Sequence, residues 1–218
     1  MNIIAAIPCY NEGWYIGSTV LMTKKFVNKV IVIDDGSVDD SAEIAVEAGA
    51  IVYKHGQNKG YGKSICDALA MGRRADADIL VTLDADGQHN PDDIPEMVKP
   101  LLNGEADVVV GSRFLGAGTK PPLYRRVGQH ILTFFTNLGT GGSLTDSQSG
   151  FRAYSSKALR ELGLSERGMS VSSEIQFAIA KGKLRVAEVP INVTYFEKSL
   201  YPSSSVVPSK PCDSIHPC

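Results

Sequence analysis

Apolar and polar positions come in alternating blocks along the first half of the chain. Residues 3–7 are a short apolar run, 8–12 a polar loop, and 16–26 carry helical spacing. A second, β-branched run at 29–33 ends abruptly at Asp34-Asp35-Gly36-Ser37, before a helical stretch at 39–48 and a third strand at 50–54. Residues 63–75 read as a helix, 78–83 as a fourth strand closing on Asp84-Ala85-Asp86, 91–102 as a helix and 107–111 as a fifth strand. Short strands alternating with helices of about ten residues predict an α/β fold, a mainly parallel mixed sheet with helices on both faces. In such sheets ligands bind beyond the carboxyl ends of the strands. The polar clusters at 8–12, 34–37 and 84–89 follow the first, second and fourth strands, so they should converge on one crevice.

The second half is less regular. Residues 123–138 predict a helix, with Leu123, Val127, Ile131, Phe134, Phe135 and Leu138 near helical spacing and Arg125, Arg126 and His130 around it. That apolar set fits either a core face or a membrane contact. Residues 152–162 and 172–181 read as further helices and 186–193 as a strand. From 201 to 218 Pro and Ser dominate, which marks a tail, disordered or truncated, after a domain spanning 1–200.

Composition narrows the class without naming a function. A chain of 218 residues fits one large α/β domain. With 43% apolar and 21% charged residues, disordered and collagen-like classes fall away. A net charge of −2 gives no global attraction to nucleic acid, so any basic surface must be local. The four cysteines show neither metal-ligand spacing nor a disulfide framework. There is no apolar run of about 18 residues to span a bilayer and no signal-peptide pattern. The expectation is a cytoplasmic protein with at most a peripheral contact at the cytoplasmic face of a membrane.

Asp84-Ala85-Asp86-Gly87-Gln88-His89 is the sharpest chemical feature. Two carboxylates flanking one residue at a strand end repel unless a cation neutralises them. Mg²⁺ and similar hard cations take oxygen ligands and share their shell with substrate phosphates. Asp84 and Asp86 are therefore candidate ligands, and Gln88 can add a neutral oxygen. The competing reading is a solvated turn that caps the next helix, but Asn90-Pro91 can do the capping and leave the acids free. A carboxylate at the 34–37 strand tip can accept hydrogen bonds from a base or ribose; an Asp-Gly turn is the alternative. Pro8-Cys9-Tyr10-Asn11-Glu12 offers an aromatic face and two polar groups, against simple helix capping by Asn11.

Two further stretches qualify the picture. Gly56 to Ser64 resembles a phosphate-binding Walker loop, which needs four residues between its glycines. Here five separate Gly56 from Gly62 and one separates Gly60 from Gly62, so an ATPase reading fails. From Val108 to Thr145 there is no Asp or Glu, while Arg113, Lys120, Arg125 and Arg126 are present. Guanidinium groups suit phosphate oxygens through paired hydrogen bonds.

Six motifs now stand in order: Ile7-Pro-Cys-Tyr-Asn-Glu12, Asp34-Asp-Gly-Ser37, Asn58-Lys-Gly-Tyr-Gly62, Asp84-Ala-Asp-Gly-Gln-His89, Gly111-Ser-Arg113 and Ser149-Gly-Phe-Arg152. Together they resemble family-2 glycosyltransferases of the GT-A (Rossmann-like) fold, in the branch of dolichyl-phosphate mannose and glucose synthases of bacterial and archaeal type. The resemblance spans roughly residues 3–199. It implies a nucleotide-sugar donor held by Pro8, Tyr10, Asn11, Glu12, Asp35, Asp84 and Ala85, and Mg²⁺ or Mn²⁺ on Asp84, Asp86 and Gln88. Asp86, Arg113 and Arg125 would carry the catalysis, the arginines meeting donor and acceptor phosphates. Asp146 and the 149–152 turn would border the acceptor. Lys198 joins the donor residues through a loose match of Glu197-Lys198-Ser199 to the family's late basic motif.

The implied reaction is transfer of one hexose, from UDP-glucose or GDP-mannose, to a polyprenyl or dolichyl phosphate, with inversion. Trp14 is the only tryptophan, so the Gln/Arg-x-x-Arg-Trp box of processive synthases is absent. An acceptor phosphate is already ionised near neutral pH and needs no strong base. His89 and Glu174 would be the candidate bases for a hydroxyl acceptor, the first alternative. A non-catalytic nucleotide-sugar-binding protein is a remoter one.

Overall fold

This computed structural model describes residues 1–115, 123–140, 142–164 and 171–194, with 123–130 described by backbone alone. The strands are β1 (Ile3–Cys9), β2 (Lys29–Asp34), β3 (Ile51–Lys54), β4 (Ile79–Thr82), β5 (Val108–Ser112), β6 (Arg152–Ser155) and β7 (Val186–Pro190). The helices are α1 (Gly13–Thr23), α2 (Ser41–Glu47), α3 (Tyr61–Arg74), α4 (Ile94–Leu102), α5 (Leu123–Thr140), α6 (Ser156–Glu161) and α7 (Val171–Lys181). All the strands join one sheet in the order β3-β2-β1-β4-β6-β5-β7.

β1, β2, β3 and β4 pair in parallel, as do β5 and β7. Of these, β1, β2, β4 and β5 are near-continuous apolar runs because helices cover both faces. Along β1 the side chains alternate between two cores. Ala5 and Ile7 pack with Ile16 and Val20 of α1 and Met97 of α4. Ile4 and Ala6 pack with Ile65 and Leu69 of α3 and Ile175 of α7. Ile4 and Ile7 are both fully buried, and truncating either to Ala would cost about 2–5 kcal/mol.

One predicted element is corrected. Residues 152–162 were expected to form a helix, but Arg152–Ser155 is β6, and only Ser156–Glu161 is helical. β6 runs antiparallel between β4 and β5 and supplies the hydrogen bonds both edges lack. Ser155 then accepts from the amide of Ala158 and starts α6 as its N-cap. Residues 91–102 also split, into a single 3₁₀ turn at Pro91–Asp93 and α4, with Asn90 accepting from Asp92 N at 3.1 Å. That is the capping expected of Asn90, and it leaves Asp84 and Asp86 to other work. The 201–218 tail lies outside the described residues.

After β1 the chain moves outward through β2 and β3, then returns to place β4 on the other side of β1. This reversal of strand order opens a crevice at the carboxyl ends of β1 and β4, where α/β sheets bind ligands.

Candidate active site

The three polar strand ends do converge. A cleft of about 180 Å³ is lined by Pro8 and Cys9 at the end of β1, Tyr10 and Glu12 just beyond it, Asp35 after β2, Tyr61 and Ser64 of α3, and Asp84, Ala85 and Asp86 after β4. Tyr10 is half-exposed at its margin. Cys9 is no nucleophile there, because burial pushes its thiol up to about 12.

Asn11 neither lines the cleft nor caps α1. It takes a positive φ of 54°, its amide donates to Ser37 Oγ at 3.0 Å, and its side-chain oxygen accepts from Val38 N at 2.9 Å. Those bonds tie the first strand-end loop to the second. Gly36 lets the third loop close on the second: at φ 75°, a Cβ there would lie 2.7 Å from the backbone of Gln57. The Asp35 carboxylate, 3% exposed, then accepts from Lys59 N at 2.9 Å and Gly60 N at 2.8 Å. The glycine-rich stretch at 56–62 therefore wraps a carboxylate and not a phosphate.

Asp84 is braced from two sides. Tyr61 donates its hydroxyl to Oδ1 at 3.2 Å. Burial, reinforced by the Asp84 charge, raises the Tyr61 phenol well above its ordinary range, so it stays a donor. On the other side Gly150 packs its backbone against the carboxylate. Arg152 anchors that turn: its Nε and Nη2 donate to the carbonyls of Ser149 and Ser147. Asp86 Oδ1 accepts from Gln88 N at 3.0 Å.

These residues fit a divalent cation of the Mg²⁺ or Mn²⁺ type. Asp84 keeps 33% of its side chain exposed, and both acids face the cleft. Among the described residues no cluster of three or more His, Cys, Asp or Glu forms a complete protein cage. A site with two carboxylates, completed by substrate phosphates and water, is what Mg²⁺ favours. Gln88 is not among the cleft-lining residues; its backbone carbonyl accepts from Thr194 N.

The other expected residues spread out. His89 is buried, its Nδ1 facing Asp84 N at 3.2 Å and its ring against Phe151, so it supports the loop. Glu174 sits in the first turn of α7, off the cleft lining. Arg113 donates Nε and Nη2 to the two oxygens of fully buried Asp146, at 2.6 and 2.7 Å. Glu188 of β7 in turn accepts from the amides of Thr145 and Asp146. The 145–146 segment is thus clamped between β5 and β7. Arg125 falls in the first turn of α5. Lys198 lies outside the described residues.

Sequence reasoning missed His55 and Asp67. His55 is buried, with Nδ1 at 2.6 Å from Asp35 and Nε2 at 2.8 Å from Asp67. It left open which way α5 faces. Thr133 and Thr136 are buried, Thr133 against Ser147, while Asn137 bonds the backbone of Leu144. Phe134, Phe135 and Leu138 are 62%, 63% and 71% exposed. Over residues 131–138 the helix turns its threonines inward and its apolar side chains outward. Asp34 and Asp35 could have been told apart by alternation, since successive strand residues face opposite ways.

A glycosyl transferase family 2 model matches residues 4–163. The chain belongs to that family. It is 37% identical over 211 or more aligned positions to archaeal relatives such as the UDP-N-acetylglucosamine–dolichyl-phosphate N-acetylglucosaminyltransferase of Methanococcus voltae, with 94% of this chain and 90% of that protein covered. It is 29% identical to the undecaprenyl-phosphate mannosyltransferase of Micrococcus luteus, covering 92% and 86%. Among solved structures, glucosyl-3-phosphoglycerate synthase from Mycobacterium tuberculosis, crystallised with Mg²⁺ and uridine diphosphate, superposes with a TM-score of 0.72 at 25% identity. That match covers 91% of this chain and 73% of the other. The fold is the GT-A fold, as the motifs implied.

Proposed function

We propose that this glycosyltransferase moves a single sugar from a UDP- or GDP-linked donor to a polyprenyl or dolichyl phosphate at a membrane surface, with inversion. The observation that carries the reading is the gathering of Asp35, Asp84 and Asp86 in one cleft at the strand-order reversal. Asp35 would accept from the base or ribose. Asp84 and Asp86 would hold Mg²⁺ or Mn²⁺ against the donor diphosphate. When bound, the cation supplies positive charge where the leaving diphosphate gains negative charge.

The protein's own part is orientation. Tyr61 and the Gly150 turn fix Asp84, and the paired bonds to Asp146 fix Arg113. Arg113 and Arg125 would meet phosphates of donor and acceptor. An acceptor phosphate oxygen attacks the anomeric carbon as the bond from that carbon to the donor diphosphate breaks. The polyprenyl phosphate acceptor is supported by the names of the Methanococcus voltae and Micrococcus luteus relatives. The outward apolar face of α5 supports a peripheral membrane contact. No helix among the described residues is long and apolar enough to cross a membrane.

A second reading is transfer to a hydroxyl of a small acceptor. It is favoured by the likeness to glucosyl-3-phosphoglycerate synthase, also crystallised with phosphoglyceric acid. One experiment separates the two. UDP-glucose, UDP-N-acetylglucosamine and GDP-mannose are each offered with polyprenyl phosphate in detergent or with phosphoglycerate, and products are identified by mass. Glycosylated polyprenyl phosphate supports the first reading. Product only on phosphoglycerate overturns it.

A further inference from the structure

We propose that His55 is a positioning residue for donor binding, holding the Asp35 carboxylate so that one defined oxygen meets the nucleoside diphosphate. The proposal rests on the reading of the cleft as a nucleotide site. His55 does not touch the cleft; it acts through Asp35.

An ionised carboxylate only accepts hydrogen bonds. His55 has one at each ring nitrogen, Asp35 Oδ1 at Nδ1 and Asp67 Oδ2 at Nε2, so the ring is held between two carboxylates. Asp67 is in turn paired with Lys63 one turn earlier in α3. Burial would lift the Asp67 carboxyl, but the hydrogen bonds from Lys63 and His55 prevail and lower it. The result is a row, Asp35–His55–Asp67–Lys63, that runs from the buried Asp35 carboxylate to a partly exposed lysine. The other groups near the ring are Tyr53 of β3, edge-on at 5.6 Å, and Lys54, which faces Asp34 at 3.8 Å.

The row decides which part of Asp35 is left for a ligand. A carboxylate offers about four lone-pair sites. Oδ1 takes His55 and the Lys59 amide, and Oδ2 takes the Gly60 amide. The remaining site is on Oδ2, suited to a base N–H or a ribose hydroxyl. Without His55, both oxygens would have a site open and the carboxylate could rock about its two backbone amides. The same helix governs the other end of the donor. Tyr61 begins α3 and donates to Asp84, while Lys63 and Asp67 reach Asp35 through His55. The first two turns of α3 thus set the spacing between the base-side and diphosphate-side carboxylates.

The test compares the parent, His55→Leu and the double variant His55→Leu/Asp67→Leu. UDP and GDP are titrated with Mn²⁺ by calorimetry, with melting and steady-state turnover measured alongside. For His55→Leu the expected result is affinity lowered about tenfold or more, as for loss of one charge-assisted contact. Turnover at saturating donor should stay within about threefold, so the loss falls on donor KM. The single variant leaves the part-buried Asp67 with Lys63 as its remaining charged partner and should melt earlier than the parent. The double variant should recover melting temperature without recovering affinity. Unchanged affinity in His55→Leu, or affinity and melting returning together in the double variant, overturns the positioning role. A parent that binds neither nucleotide takes the nucleotide-site reading down with it.

Discussion

A Cβ on Gly150 would lie 2.8 Å from Asp84 Oδ2 and 2.9 Å from the Tyr61 hydroxyl. No side chain fits between that turn and the carboxylate, so the close approach requires glycine. Gly150→Ala should therefore push Asp84 out of place while leaving the sheet intact. A displacement near 1 Å at a reacting centre can cost about a hundredfold in rate. The measurement is Mn²⁺-dependent UDP affinity and turnover, with circular dichroism as the control for folding. A fully active Gly150→Ala protein would show that Asp84 needs no such seat.

Asp86→Ala should abolish the gain in donor affinity on adding Mg²⁺ or Mn²⁺ and leave metal-free binding nearly unchanged. The residue sits beyond the end of β4 and outside both cores, so melting should move little. Calorimetry with and without metal decides it. Equal binding by variant and parent in both conditions would remove Asp86 from the metal site.

Strands β1, β2, β4 and β5 were legible because they are buried on both faces and their sequences say so. The acids at the strand ends were legible for the opposite reason, being polar residues at the tips of apolar runs. β6 was not. Arg152-Ala153-Tyr154-Ser155 has no apolar run, and Arg152 is 2% exposed only because Ser147 and Ser149 turn carbonyls toward it. His55 was equally hidden. A lone histidine after a short strand carries no local signal, and its two partners lie 20 residues back and 12 ahead. Such long-range polar pairing leaves no periodic trace in a sequence.

Acid should loosen the second half of the sheet first. Asp107, at the start of β5, is held down to about 2 by hydrogen bonds from Arg185, with Lys157 adding to them and burial opposing. Its folded value lies below its ordinary 3.8, so the stabilisation is present above that pH and is lost as pH falls through the interval toward 2. Arg185 and Lys157 are about half-exposed, so solvent screening leaves roughly 1–2 kcal/mol. Asp107→Asn should melt earlier than the parent near neutral pH, and the two curves should converge near pH 2. A constant gap across the range would place the cost in packing instead of charge.

Arg125→Ala should separate acceptor from donor. Neutralising it should raise the KM for polyprenyl phosphate or lower turnover, with UDP or GDP affinity unchanged. Loss of one charge-assisted contact corresponds to about 1.5–3 kcal/mol, or roughly tenfold to a hundredfold in kcat/KM. Slow hydrolysis of the donor should persist, because water needs no phosphate clamp. Donor and acceptor weakened alike would move Arg125 to the diphosphate site.

The exposed face of α5 makes the last prediction. Phe134 and Phe135 stack edge-on at 5.6 Å and point away from the buried threonines of the same helix. Two phenylalanines exposed side by side are costly in water, and contact with acyl chains would recover about 25 cal/mol for each Å² of apolar surface covered. Replacing both by Ser should therefore leave folding and nucleotide affinity untouched, since neither residue belongs to either core. It should weaken sedimentation with phosphatidylcholine–phosphatidylglycerol vesicles and slow transfer to polyprenyl phosphate embedded in them. Transfer to a short, water-soluble prenyl phosphate should be nearly unchanged, because that acceptor needs no membrane to reach the cleft. Equal losses on both acceptors would mean that α5 shapes the acceptor site itself and does not dock the protein on the bilayer.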